Sequence, residues 1–156
     1  MDLLEVALNG GRLLYAYTMY IDAPLTNSFR LTGEPDYWAR NFDGDPLPNL
    51  RLVWEGKPYK QGSLMVLAPV RKDGTVASVG SVRMELLEFQ QDREISFRFL
   101  NGSHLVYRFV YEAVSATRTE FTVNVVVDAQ SPPLNILRQR LYAKRRRKAS
   151  IKDHMR

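Results

Sequence analysis

The chain has 156 residues, of which 45% are apolar and 25% are charged, and it contains no cysteine. This length and composition predict a single globular domain over residues 1–156 and exclude a disordered chain, while the missing cysteines exclude disulfides, thiol catalysis and thiolate metal sites. The formal net charge is +5, but nine Lys or Arg residues against one Asp lie in residues 138–156, which leaves the rest of the chain mildly acidic.

The N-terminal segment favours a cytoplasmic protein. Residues 1–5 show no basic stretch followed by a long apolar core, as a signal peptide would. No apolar run in the sequence approaches the ~20 residues that a membrane span needs. We therefore expect a cytoplasmic location.

The first elements are a strand and two short helices. Residues 12–22 form a run that is rich in aromatic side chains and contains no helix breaker, and we interpret it as a strand. Pro24 suits the first turn of a helix, so residues 24–33 form a predicted short helix, and a second helical piece is predicted over 35–42. Residues 43–48 contain two prolines and a glycine and are predicted to be a loop.

The middle of the chain contains only predicted strands, because no helical periodicity occurs between residues 49 and 128. Gly80 falls inside one of them and predicts a bulge or bend. The predicted strands are 49–56, 60–70, 75–90, 94–100, 103–113 and 117–128.

A three-residue loop over residues 100–102 sets the register of the central hairpin, because it places Gly102 where a positive φ is required. The next hairpin is centred on Ser115. The predicted cross-strand pairs are Phe97 with Leu105, Ile95 with Tyr107, Glu94 with Arg108, Phe109 with Phe121, and Glu112 with Arg118.

This register divides the strands between an inner, concave face and an outer face exposed to water. Val82, Met84 and Leu86 of the preceding strand join the inner face. The other inner residues are Ile95, Phe97, Phe99, Leu105, Tyr107, Phe109, Tyr111, Phe121, Val123, Val125 and Val127. The predicted outer residues are Arg98, His104, Arg108, Glu112, Arg118 and Glu120.

A long helix is predicted from Ser131 onward, because Ser131 is a good N-cap and two prolines follow it. Leu134, Leu137 and Leu141 repeat at helical spacing and form an apolar stripe. Seven strands ~4.8 Å apart make a sheet roughly 34 Å wide, whereas one helix is only about 10–12 Å across. The sheet must therefore curl around the helix, which predicts an α+β domain with a hollow between them.

Three short motifs then resemble a known family. The strand that ends in YIDAP at residues 20–24 is followed by Phe29, residues 35–38 read PDYW, and residues 61–63 read QGS. In this order and spacing the motifs are similar to those of the START/Bet v 1-like (SRPBCC) superfamily. The resemblance covers residues 12–156.

This resemblance implies the helix-grip fold, a seven-stranded curved antiparallel sheet around a long C-terminal helix, with two short helices after the first strand. It also implies a cavity that binds lipids, polyketides or other hydrophobic compounds. The alternatives within the superfamily are a cofactor-independent cyclase or dehydratase and a chaperone-partner module. The superfamily shares no universal catalytic residue, so no catalytic residue is carried over.

The hypothesis is therefore a hydrophobic small-molecule ligand held in the cavity, with no cofactor. Each inner aromatic is either cavity lining or core, and a buried tyrosine would seek a ligand oxygen, Thr18 or a backbone carbonyl as its partner. Trp38 and Phe42 are predicted at the cavity mouth, as a gate or as a plug that fixes the short helices. The predicted lining is Phe97, Phe99, Tyr107, Phe109, Tyr111, Phe121, Val123, Met84, Leu137 and Leu141.

No metal site is expected, because the two histidines, His104 and His154, stand far apart and Asp43 and Asp45 lack further ligands at calcium-loop spacing. The basic run over 144–148 has three readings: a solvated helix end, a weak contact with an anionic membrane surface, or a contact with nucleic acid. The run contains no stacking aromatic, which argues against nucleic acid. The sequence does not indicate an oligomeric state.

Overall fold

The computed structural model of the chain describes residues 12–127, and residues 1–11 and 128–156 lie outside the described part. Within that range the backbone forms seven strands, one α-helix and one 3-10 turn. In chain order they are β1 (Arg12–Ile21), α1 (Leu25–Gly33), the 3-10 turn (Pro35–Tyr37), β2 (Leu50–Glu55), β3 (Leu64–Pro69), β4 (Val82–Gln90), β5 (Glu94–Phe99), β6 (Leu105–Ser115) and β7 (Arg118–Val127).

The strands form one antiparallel sheet in the order β1-β7-β6-β5-β4-β3-β2. Strands β2 to β7 are successive hairpin neighbours, whereas β1 lies at the far edge beside β7. This confirms the predicted seven-stranded antiparallel sheet. The predicted C-terminal helix, with Ser131, Leu137 and Leu141, lies outside the described residues and stays a prediction, as do the readings of the basic run.

Three element bounds differ from the prediction by more than two residues. Strand β4 begins at Val82 and not at residue 75, because Gly80 has a φ of +80° and the chain before it turns. Strand β3 begins at Leu64 and not at residue 60, since Gly62 has a φ of +88°. The helical piece predicted over 35–42 is only a three-residue 3-10 turn, which a further turn connects to the bridge between Arg40 and Pro46.

The predicted cross-strand pairs are wrong by two residues. Phe97 lies opposite Tyr107, and Phe109 lies opposite Val123. Between β5 and β6 the cause is the loop, which spans residues 100–104 because His104 adopts a φ of +55° in addition to the expected positive φ at Gly102. Between β6 and β7 the register shifts between Ala113 and Ser115, next to the turn. A shift of two residues keeps every side chain on its own face, so the predicted division into two faces holds for these strands.

The same shift changes the predicted charge pairs. Glu94 and Arg108 are no longer opposite each other, yet they form an ion pair on the diagonal. Glu112 lies opposite Glu120 instead of Arg118, and Arg118 approaches Asp22 at 3.6 Å.

The outer face is more buried than the sequence predicts. Arg98 and Glu85 form an ion pair at 2.8 Å in which each side chain is only about a fifth exposed. Val106, on the same face, is fully buried, and Glu94 is nearly so. The expectation that Arg98 and Arg108 simply point into water is therefore wrong, because both neutralise buried or half-buried carboxylates.

Helix α1 packs across the inner face against β6 and β7. Phe29 is fully buried, and its ring meets the ring of Tyr111 edge-on at 5.0 Å and that of Phe89 at 5.7 Å. A Cβ at Gly33 would lie 3.0 Å from the Phe29 ring and from the Tyr111 hydroxyl. Glycine at this position therefore allows the last turn of α1 to reach the sheet.

Replacing Arg108 with Met should destabilise the fold, because the Glu94 carboxylate, 7% exposed, would lose the cation that neutralises it. We expect a loss of about 2–3 kcal/mol in the free energy of urea unfolding, below the usual cost for a fully buried pair because Arg108 is itself 40% exposed. The matched control is Arg83→Met, which breaks an ion pair whose partners are both about half exposed, and it should cost under about 1 kcal/mol. Equal losses in the two variants would contradict this account.

Candidate ligand-binding face

The inner face of the sheet carries every predicted lining residue that falls in the described range. Strand pairing places Met84 on β4, Phe97 and Phe99 on β5, three aromatics on β6, and Phe121 and Val123 on β7. Within this set Met84, Phe97, Tyr111, Phe121 and Val123 are buried, whereas Phe99, Tyr107 and Phe109 remain partly exposed.

We call Phe99, Tyr107 and Phe109 the aromatic patch. The Tyr107 ring lies edge-on to both neighbours, with centroid distances of 5.2 Å to Phe99 and 6.3 Å to Phe109. Beneath the patch, Phe97 contacts Tyr107 and Phe109 at 5.8 Å and 5.4 Å. Because edge-on and stacked rings hold one another in place, the patch is a rigid apolar surface.

The Tyr111 hydroxyl already has a protein partner. It lies 2.8 Å from Thr32 Oγ1, and that hydroxyl donates its one hydrogen to the carbonyl of Ser28 at 2.7 Å. Tyr111 therefore donates to Thr32. Thr18, one of the partners considered from sequence, lies on the outer face and bonds to Thr122. Burial raises the pKa of Tyr111, so the phenol is neutral at physiological pH.

The two residues predicted at the cavity mouth differ in their exposure. Trp38 faces inward, where its ring meets Phe97 at 5.2 Å and its Nε1 donates to the carbonyl of Thr32. Phe42 is 92% exposed and follows in the next loop. Trp38 thus fixes α1 and the 3-10 turn to the sheet, while Phe42 projects into solvent.

A polar cluster at the same end of the inner face was missed by sequence reasoning. The Asp36 carboxylate accepts a hydrogen bond from Trp54 Nε1 at 2.9 Å and another from the Tyr59 hydroxyl at 2.5 Å. The Tyr59 ring packs between Trp54 and Phe89. Burial, followed by the hydrogen bond to Asp36, raises the pKa of Tyr59. The aspartate within the PDYW motif was the available signal, but its partners lie 18 and 23 residues away.

The chemistry of this face is apolar contact, with a few neutral hydrogen-bond donors at its margin. Both oxygens of Asp36 are engaged by structural donors. Across residues 12–127, no group of three or more His, Asp or Glu side chains could hold a metal ion. In the same part of the chain, no helix is long and apolar enough to cross a membrane.

Comparison with known proteins shows the fold. No protein-family model and no curated protein matches the chain. The allergen Ara h 8.0201 superimposes with a TM-score of 0.57 at 12% identity, over 88% of this chain and 91% of the other. A protein of Cytophaga hutchinsonii superimposes with a TM-score of 0.54 at 12% identity, over 91% of this chain and 92% of the other. A polyketide cyclase-like protein of Corynebacterium glutamicum superimposes with a TM-score of 0.53 at 15% identity, over 91% of this chain and 78% of the other.

These superpositions agree with the fold that the resemblance in sequence implies. The shared feature within the described residues is the seven-stranded antiparallel sheet with its short helix after the first strand. At identities this low the likeness concerns architecture, so function has to be argued from the inner face itself.

The Asp36 cluster generates a stability prediction. In Asp36→Ala the Trp54 and Tyr59 donors would lose their acceptor, and we expect urea unfolding to cost about 2–3 kcal/mol less than in the parent chain. Asp45→Ala, in the exposed loop nearby, should change it by under about 0.5 kcal/mol. Trp fluorescence reports the transition, and an unfolding free energy unchanged in Asp36→Ala would show that the cluster is dispensable.

Proposed function

We propose that this chain binds a hydrophobic small molecule, lipid-like or polyketide-like, in a cavity between the inner face of the sheet and the predicted C-terminal helix. The observation that carries the proposal is the partial exposure of the three contacting rings of the aromatic patch, which lie beside the buried rings of Phe97, Tyr111 and Phe121 on the same face. Isolated exposed apolar residues are common on protein surfaces, but three contacting rings on the inner face favour a binding site for an apolar ligand.

Apolar burial would supply most of the affinity. Covering the aromatic patch removes apolar surface from water at about 25 cal/mol per Å². The phenol of Tyr111 is already hydrogen-bonded to Thr32, so it contributes to the rigidity of the site more than to ligand recognition. A rigid face loses little conformational entropy on binding, which favours affinity further.

Carriage is better supported than catalysis. A cyclase or dehydratase would need an acid and a base that change protonation near neutral pH on the inner face. Among residues 12–127, the phenols of Tyr59 and Tyr111 have raised pKa values and act as donors, and the Asp36 carboxylate is held by structural hydrogen bonds. The likeness in fold to a polyketide cyclase-like protein supports the apolar class of ligand and adds no catalytic group.

The most direct experiment is native mass spectrometry of protein purified from its own source. We expect a species heavier than the 18.0 kDa chain by one small apolar molecule, which organic extraction would release. Protein that is free of any copurifying compound and that also fails to bind apolar dyes would contradict the proposal.

A substitution in the aromatic patch should weaken binding. In Phe99→Asp a carboxylate would be desolvated by the ligand, so we expect the affinity for the neutral dye Nile red to fall at least tenfold. Phe99→Leu keeps an apolar surface and should change the affinity for Nile red by less than about threefold. Val79→Asp alters an equally apolar but loop-exposed side chain and should leave it unchanged. Circular dichroism checks that each variant is folded, and an effect of Val79→Asp equal to that of Phe99→Asp would place the dye elsewhere.

A further inference from the structure

A second concavity lies outside the sheet, on the far side of α1. It is a cleft of about 410 Å³ between the helix and the loop that follows the 3-10 turn. Asn27, Arg30 and Leu31 share one helical face, at i, i+3 and i+4, and this face is opposite the buried Phe29. The full lining is Asn27, Arg30, Leu31, Tyr37, Arg40, Phe42, Asp43 and Gly44.

Two arginines converge in this cleft on one aromatic ring. The guanidinium carbons of Arg30 and Arg40 lie 6.0 Å and 5.2 Å from the centroid of the Tyr37 ring. Within the described part of the chain, neither arginine forms an ion pair. Two cations beside one ring, neither with a carboxylate partner in this part of the chain, create a local positive potential that favours an anion.

The loop side of the cleft is held in place without a ligand. Arg40 donates from Nε to the carbonyl of Asp36 and from Nη1 to the carbonyl of Gly44, which fixes the orientation of its guanidinium. Asn41 Oδ1 accepts hydrogen bonds from the backbone N–H groups of Asp43 and Asp45, so the loop is closed by its own side chain. Binding would therefore cost little ordering of the protein.

The walls also offer apolar surface. Phe42 is 92% exposed and Leu31 is 39% exposed, and both line the cleft beside the Tyr37 ring. Large apolar side chains at this exposure, next to guanidinium groups that form no ion pair with the described residues, suit a ligand with a flat apolar part and a charged end. Asp43 is the one acidic side chain in the lining, and it opposes an anion that reaches its end of the cleft.

We propose that this cleft binds a small organic anion, a carboxylate or phosphate attached to a planar apolar group. The anionic group bonds to Arg30 and Arg40, and the planar group packs against Phe42 and Leu31. The site is separate from the inner face of the sheet, so this proposal does not depend on the hydrophobic ligand proposed above.

Titration calorimetry of the full chain with 1-naphthyl phosphate and with 1-naphthoate tests the proposal. Arg30→Gln removes one charged donor and should weaken binding of both probes about tenfold. Arg71→Gln, an exposed arginine in the β3–β4 loop, is the matched control and should leave the affinity unchanged. A larger effect on the phosphate than on the carboxylate would identify the phosphate as the preferred anion, and the reverse result would identify the carboxylate.

Two further variants separate binding from a general loss of structure. Asp43→Asn removes the repulsion and should tighten binding a few-fold, a direction that damage to the fold would not produce. Phe42→Ala should weaken binding of 1-naphthyl phosphate and leave the weaker binding of inorganic phosphate unchanged. Raising the salt concentration from roughly 0.05 to 0.5 M should weaken every complex, because a shorter Debye length screens the attraction between the arginines and the anion.

Several results would overturn the proposal. Affinities that are equal in Arg30→Gln and Arg71→Gln would show that the probe binds elsewhere, and sensitivity to Phe99→Asp instead would place it on the inner face. Sedimentation with phosphatidylserine vesicles that depends on Arg30, without binding of either soluble probe, would replace the small anion by a membrane surface.

Discussion

The two-residue period of the strands governs this protein, because it places the large aromatic side chains of β5, β6 and β7 on one face of the sheet. One α-helix of nine residues covers part of that face, through Phe29 and the close approach of Gly33 to Tyr111. The rings that α1 does not cover pack on one another, and three of them stay partly exposed. The candidate site is therefore a consequence of how the sheet is patterned and how little of it α1 reaches.

Hydrogen bonding at the margin of the inner face serves rigidity. Trp38 and Tyr111 both bond to Thr32, one to its carbonyl and the other to its hydroxyl, so a single residue near the end of α1 ties the helix to the 3-10 turn and to β6. Burial keeps the phenol of Tyr111 in its neutral form, in which it can still donate. The Tyr111 phenol is therefore a fixed hydrogen-bond donor at this margin of the face.

The face assignment could be predicted from the sequence, whereas the pairing could not. Moving Phe97 from Leu105 to Tyr107 leaves the alternation of apolar and polar residues unchanged, so the pattern cannot distinguish the two registers. The deciding feature is the positive φ of His104, which a non-glycine residue adopts only because the surrounding loop requires it. The Asp36 cluster was equally invisible, since hydrogen bonds between residues 18 and 23 positions apart follow from tertiary packing alone. The length of α1 was readable because Pro24 and Gly33 bound it on either side.

The 3-10 turn explains how two separate sites can lie so close together. A 3-10 helix has three residues per turn, so three consecutive side chains point in directions about 120° apart. Asp36 reaches Trp54 and Tyr59, the ring of Tyr37 contacts the two arginines of the outer cleft, and Trp38 packs against Phe97 on the inner face. Pro35, at the first position of the turn, has no N–H to leave unpaired and holds the tight geometry in which one short segment supports the polar cluster, the cleft and the aromatic face together.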